Sequence, residues 1–329
     1  MEVEMTGQKK LFLVLLVGAL LFSWACSQNG SAPADSSSSG SESIKPFLGR
    51  WDLTVKTATE ERPSWIEITE EQGQAKGLMT GFWGHATPTG EIQIKDGEIE
   101  FLAPKGAGYA DGTELKAKLD GEQLAGTATD PKGVIWQWTG RKAPSLERTG
   151  VPEWGKPVRL FNGKNLDGWR FSNPAHVWSV KNGTLVKTAT SSEIISTSKF
   201  EDFKLHVEFK CEGSCNSGVY LRGRYEVQIA AGPGDDLPPN RSMGAVYGFL
   251  APEPAPPATL GKWHNYDITL VGRTLTVVYD GQTIIDQREI PGITGGALDS
   301  NEGEPGPIYF QGGEHGQVAF RNIVITPAK

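Results

Sequence analysis

Short runs in which apolar and polar residues alternate recur through most of the chain. In residues 44–141 they fall at 49–55, 65–69, 91–94, 98–102, 114–119, 123–128 and 134–140. Trp65-Ile66-Glu67-Ile68-Thr69 shows the pattern plainly. A period of two puts successive side chains on opposite faces of an extended strand, and no helical spacing competes with it there. Asp96-Gly97 and Asp120-Gly121 separate adjacent runs, and both pairs favour the left-handed backbone of a tight hairpin. About seven or eight such strands predict an antiparallel meander, closed into a small barrel or packed as a sandwich. From Val158 onward the pattern returns at 178–186, 203–211, 217–221, 225–229, 266–271, 274–280, 308–311 and 318–325. Asn182-Gly183 and Asp280-Gly281 mark hairpin turns there. Long loops between these runs suit two sheets packed as a jelly roll.

The fold class expected is all-β. An N-terminal lipocalin-like barrel or sandwich spans 44–141, and a concanavalin-like jelly-roll sandwich spans 158–329. Gly49-x-Trp51 is similar to the Gly-x-Trp opening of lipocalin-type barrels. Residues 142–157 hold Pro144, Pro152 and Pro157 with no period, and read as a linker. Trp51, Trp65, Trp83, Trp136 and Trp138 read as core filling rather than as a sugar-stacking platform, because large aromatic side chains are mostly buried. His85 reads as an isolated loop residue.

Two segments ahead of the first strand stand outside the fold. Lys9 and Lys10 precede an apolar stretch at 11–22, followed by Ser23-Trp24-Ala25-Cys26. This layout is similar to a bacterial lipoprotein leader over 1–26 and implies a lipidated Cys26, although Trp24 stands where a small residue is usual. Ser27, where Asp would hold an inner-membrane lipoprotein, implies the outer membrane of a bacterial cell envelope. Residues 27–43 are dominated by Ser and Gly and read as a flexible tether, so the lipid is the only expected membrane contact. No run reaches the roughly 18 to 20 apolar residues of a spanning helix. Thirty-two basic against 39 acidic residues give a net charge of −7, which with no long basic run argues against a nucleic-acid partner. Three cysteines are too few for a disulfide-dense scaffold or an all-thiolate zinc site.

The second region opens with Leu160-Phe161-Asn162-Gly163-Lys164-Asn165-Leu166-Asp167-Gly168-Trp169. Further stretches follow in order. They are Asn216-Ser217-Gly218-Val219-Tyr220-Leu221-Arg222-Gly223 with Tyr225-Glu226-Val227-Gln228-Ile229; Gly244-Ala245-Val246-Tyr247-Gly248; the segment from Gly261-Lys262-Trp263 to Leu275; and Gly306-Pro307-Ile308 to Ile325. Over nearly all of 158–327 these residues resemble the bacterial 3-keto-disaccharide hydrolases. That family is also described as 3-keto-glucoside 1,2-lyase/3-keto-2-hydroxy-glucal hydratases. The resemblance implies a concanavalin-like sandwich acting on an oxidised glycoside, so a small carbohydrate is the expected partner.

Along 219–229, Val219, Leu221, Tyr225, Val227 and Ile229 share one parity, and Tyr220, Arg222, Arg224, Glu226 and Gln228 share the other. If parity is kept through a turn at Gly223, one face is core and the other polar. The polar face is then a sugar cleft or simply a solvated face. A ketone at C3 acidifies the C2–H. Elimination then needs a base for that proton, an electropositive group for the enolate and an acid for the leaving oxygen; water re-adds afterwards. The matched positions offer Glu226 and His315 as acid and base in either order, and Arg222 as the stabiliser. Gln228, Tyr247, Gln311 and Tyr220 are the expected substrate-binding residues. Ala230-Ala231 stands where that family often has Leu-Asp, with Asp235 and Asp236 a few residues on.

Cys211 and Cys215 flank Glu212-Gly213-Ser214 between two strand runs, which predicts a disulfide in an exported protein. No cofactor is evident, and a divalent cation stays open with its ligands unknown. Gly-x-Ser-x-Gly, His-Glu-x-x-His, P-loop and EF-hand patterns are absent, as is the Glu-x-Asp-x-x-Glu of glycanases on this fold. Two readings follow: a 3-keto-glycoside-cleaving enzyme, or a non-catalytic, lipid-anchored carbohydrate-binding module.

Overall fold

A computed structural model describes residues 43–175, 177–187, 191–232, 237–313 and 316–329. Cys26, the leader and nearly all of the tether lie outside the described residues, as do His176, Asp235, Asp236 and His315. Among the described residues the regular structure is β apart from two three-residue 3-10 turns.

The first sheet contains β1 (Gly49–Lys56), β2 (Glu61–Glu71), β3 (Gln74–Thr80), β4 (Thr87–Pro88), β5 (Gln93–Lys95), β6 (Glu98–Leu102), β7 (Glu114–Asp120), β8 (Gln123–Thr129) and β9 (Ile135–Lys142). Their hydrogen-bonded order is β4-β3-β2-β1-β9-β8-β7-β6-β5. This is an up-and-down meander whose first and last strands pair. Between β4 and β5 the Thr89 N–H donates to Gly77 O (2.9 Å) and the Gly90 N–H to Leu102 O (3.2 Å), which bridges the remaining edge and closes a barrel. Alternation sends Trp51, Leu53, Val55, Ile66, Ile68, Ile99, Phe101, Leu115, Leu124 and Trp138 inward. The barrel has nine strands, more than the seven or eight that the alternating runs predict.

The second region forms two sheets. One holds β12 (Ser179–Lys181), β13 (Thr184–Lys187), β22 (Gln317–Pro327), β15 (Phe203–Glu212), β18 (His264–Val271), β19 (Thr274–Tyr279) and β20 (Gln282–Glu289), with β10 (Val158–Arg159) added on β22. The other runs β11 (Trp169–Phe171), β14 (Ile194–Phe200), β21 (Gly306–Phe310), β16 (Cys215–Leu221), β17 (Tyr225–Ala231). Leu205, Val207, Phe209, Tyr266 and Ile268 from the larger sheet and Val219, Leu221, Tyr225, Val227 and Ile229 from the smaller share one buried core. Cys211 and Cys215 are joined in a disulfide with Cα atoms 5.8 Å apart, closing the link between β15 and β16.

Barrel and sandwich lie within one compact unit, Ser41–Lys329. Trp65 leaves the barrel and enters the sandwich core, edge-on to Phe249 at 5.5 Å. Thr54 and Ser300 hydroxyls bond at 2.7 Å, and Arg50 pairs with Glu289 at 2.5 Å. The connecting segment is packed against the sandwich: Leu146 is buried, Arg148 bonds Asp202 (2.9 Å), and Arg273 donates to Pro144 O (2.6 Å).

Candidate active site

β16 and β17 form a hairpin in register Tyr220↔Glu226 and Gly218↔Gln228. β21 adds Tyr309 opposite Tyr220, and β14 adds Ile195 opposite Tyr309. Because Val219, Val227, Phe310 and Ile194 point into the core, this register lays Ile195, Tyr309, Tyr220 and Glu226 in one row on the outer face. Beyond the β17 edge the Tyr247 N–H donates to Glu226 O at 3.1 Å, so Tyr247 continues the row.

Glu226 is 2% exposed. Burial pushes its carboxyl up to about 8, against an opposing pull from the Tyr220 hydroxyl 2.9 Å from Oε2. Glu226 therefore carries a proton at neutral pH. The Tyr220 hydroxyl also lies 2.7 Å from Gly295 O, and it has one proton for two acceptors. A neutral Glu226 resolves the conflict: it donates to the Tyr220 oxygen, and Tyr220 donates to Gly295 O. Tyr220 stacks on Tyr309 at 3.9 Å, and burial drives both phenols well above their ordinary range, so both remain hydroxyls. Glu226 Oε1 is buried with no partner among the described residues. It lies over Gly218, where an added Cβ would stand 2.2 Å away, so only glycine leaves room for the carboxyl.

The flanking groups differ in readiness. Gln311 donates its N–H to Gly218 O (3.0 Å), and its side-chain Oε1 is buried without a partner among the described residues. Gln228 is 4% exposed, and its Oε1 accepts from the Ile229 N–H. Tyr247 is half-buried, with the Arg241 charge beside it. Lys187 reaches from the opposite sheet, donates to Asn216 O (2.7 Å) and is pushed down to about 8 by burial. Lys187, Tyr309, Arg241 and His85 stood in no sequence-derived site. Arg241 and His85 come close only through long-range packing, so no local motif marks them.

Arg222 is not brought to the carboxyl. It sits in the hairpin turn at φ 50°, which swings its side chain off the parity of Tyr220 and Glu226. Its guanidinium donates to the Tyr225 hydroxyl (3.1 Å) and Gly272 O (2.8 Å) at the sandwich end. Arg224 likewise leaves the polar row and pairs with Asp299 at 2.7 Å. The outer face thus carries Tyr220, Glu226 and Gln228 without the two arginines. His315 lies outside the described residues; the preceding Gly313 donates to Ser191 O (2.8 Å). His264 is buried and bonds Asp280 (2.6 Å) and Thr259 O (3.1 Å), which makes it structural. Among the described residues no group of three or more His, Cys, Asp or Glu side chains is placed to hold a metal ion.

These features define a jelly-roll sandwich with a buried, protonated carboxylic acid among tyrosines and amides, a set suited to an uncharged ligand rich in hydroxyls. The chain belongs to the family of 3-keto-alpha-glucoside-1,2-lyase-like domains, whose model matches residues 156–326, just over half of the chain. It is 25% identical over 120 residues to a 3-keto-disaccharide hydrolase of Bacteroides thetaiotaomicron; the match spans 33% of this chain and 41% of that relative. Two solved structures from Parabacteroides distasonis, both described as candidate glycosyl hydrolases, are similar. One is 25% identical, covering 54% of this chain and 92% of that one at a TM-score of 0.45. The other is 27% identical, covering 52% and 98% at 0.42. A carbohydrate-binding module of Bacillus subtilis is 14% identical, covering 47% and 93% at 0.32.

Proposed function

We propose that this protein cleaves 3-keto-glycosides by elimination and hydration, with Glu226 as the acid. The observation that carries the reading is the Glu226 carboxyl itself: buried, held protonated at neutral pH, and with Oε1 lacking any protein partner among the described residues. An acid with pKa near the working pH is suited to proton donation. His315, the other residue at a matched position, takes the base role that Glu226 leaves. The base removes the C2 proton, and the electron pair forms the C1=C2 bond as the C1–O bond breaks. Once a ligand oxygen stands at Oε1, the Glu226 carboxyl makes a half-turn that brings its O–H from the Tyr220 oxygen to that position, and it gives the proton to the departing oxygen there. Tyr220 then turns its own proton from Gly295 O to Oε2 and stabilises the carboxylate left behind. Water adds across C1=C2, with OH to C1 and H to C2, so the net result is hydrolysis.

Glu226 Oε1 has almost no solvent-accessible surface, so a ligand reaches it by displacing the half-buried Tyr247 and Gln311 side chains at the rim. Gln311 Oε1 then accepts from a sugar hydroxyl. The reaction takes place at the cell envelope, with Cys26 as the lipid anchor and no other membrane contact; Cys26→Ala should release the protein from the membrane fraction.

The test is product analysis by mass spectrometry. The wild type should convert a 3-keto-disaccharide to 3-keto-glucose plus free sugar and leave the unoxidised disaccharide intact. Glu226→Gln should lose about 10²-fold or more in kcat. Saturable binding of intact glycans without any product would favour the binding-module reading instead.

A further inference from the structure

The barrel touches the outer face of the small sheet at two points on either side of Glu226. On one side Phe82 O accepts from the Gly296 N–H at 3.1 Å, and Gly84 packs so closely on Gly295 that a Cβ there would lie 2.1 Å from Gly84 O. The carbonyls of Gly295 and Gly296 hold the hydroxyls of Tyr220 and Tyr309, so this barrel loop fixes the groups that hold Glu226. On the other side His85 packs on Gly248, where a Cβ would lie 2.5 Å from His85 Cβ. The Arg241 Nη1 donates to His85 Nδ1 at 3.4 Å, and the imidazole meets the Tyr247 ring edge-on at 6.5 Å.

That bond assigns the imidazole proton. Arg241 can only donate, so Nδ1 is the acceptor and Nε2 bears the hydrogen. Burial and the Arg241 charge both lower the affinity of the ring for a second proton, so His85 is a neutral donor through Nε2. The two flanks of Glu226 are unlike. Toward Tyr220 and Tyr309 the row is sealed at 1% exposure. Toward Tyr247, Arg241 and His85 every side chain is half-buried, so the cleft opens there. A group attached beyond the bond that Glu226 serves therefore extends toward the barrel.

We propose that the barrel completes the sugar cleft: His85, steadied by Arg241 and Tyr247, is the specificity-determining residue of the leaving-group side, donating from Nε2 to a hydroxyl of the second sugar. This rests on the 3-keto-glycoside reading, and it makes the barrel a wall of one site rather than a separate module. The ligand class it selects is a glycoside whose leaving group is itself a sugar.

The experiment compares two substrates on the full-length protein: 3-keto-trehalose, whose leaving group is a sugar, and methyl 3-keto-glucoside, whose leaving group is methanol. His85→Ala should raise KM for 3-keto-trehalose about tenfold, the loss of one good hydrogen bond, with kcat within about twofold. KM for the methyl glycoside should stay within about twofold of wild type. His85→Asn, which keeps a donor of similar size, should recover part of the loss. An unchanged KM for 3-keto-trehalose in His85→Ala, or an equal rise in KM on both substrates, overturns the inference while the proposed function stands. A wild type that cleaves neither substrate overturns the proposed function, and this inference falls with it.

Discussion

Tyr220→Phe removes one hydroxyl from between two oxygens, and the consequences separate cleanly. The bond from Tyr220 to an ionised Glu226 is charge-assisted, about 1.5 to 3 kcal/mol, whereas the bond with the neutral acid is about 1 kcal/mol. Its loss therefore penalises the carboxylate by about 1 kcal/mol more than the acid, which moves the Glu226 pKa up by about one unit. Glu226 titrates near 8 in the wild type, so the variant should titrate near 9. Proton donation requires the protonated form, so the activity of the wild type falls as pH rises through about 8, and the alkaline limb in Tyr220→Phe moves to higher pH. Gly295 O also loses its partner, which costs about 1 to 3 kcal/mol and lowers the melting temperature. The assay is kcat/KM against pH on a 3-keto-glucoside, with the carboxyl resonance of 13C-labelled Glu226 followed in parallel. An alkaline limb that stays in place or moves to lower pH refutes the assigned pairing of Tyr220 with Glu226.

Two further outcomes follow from the packing. Gly218→Ala drives a methyl group against the Glu226 carboxyl from 2.2 Å, so kcat/KM should fall about 10²-fold through misplacement of the acid. The melting temperature should fall as well, because the methyl also meets Glu226 Cγ at 2.7 Å and the buried side chain has no solvent to swing into; a fully active variant contradicts the placement. Asp52 is buried at the seam between barrel and sandwich, and burial, with the Glu302 charge beside it, pushes its carboxyl up to about 9. The folded protein keeps that proton while the unfolded chain releases it near 4, so stability declines as pH rises from about 4 to about 9. Asp52→Asn, uncharged throughout, should flatten that decline in urea melts taken across the range; an unaltered slope shows that Asp52 is not protonated in the folded state.

Alternation made the all-β class legible, and it located the hairpin that carries Glu226. It failed where inward positions were small: β3 points Ala75, Gly77 and Met79 to the barrel interior, and two of those carry little apolar signal. It failed again at β14 and β20, where shifts of register break the period of two. Glu226, Tyr220, Tyr247, Gln228 and Gln311 could be named in advance through the family resemblance; alternation alone set only Tyr220, Glu226 and Gln228 on one face, and gave no sign of Tyr247 or Gln311. Arg222 could not be placed, because a positive φ in that turn reverses the parity that the strand would have given it. His85 was the hardest to foresee. A lone histidine between Gly84 and Ala86 bears no local mark, and only the docking of barrel on sandwich brings it to Arg241 and Tyr247.

The most direct measurement is isotopic. Wild-type protein is given a 3-keto-disaccharide in D2O, and the released 3-keto-glucose is analysed at early times against an enzyme-free control for exchange. Elimination followed by hydration takes the C2 proton away and returns a solvent deuteron, so the account predicts deuterium at C2 of the product. Cleavage that leaves C2 fully protonated, or equal cleavage of the unoxidised disaccharide, would contradict it.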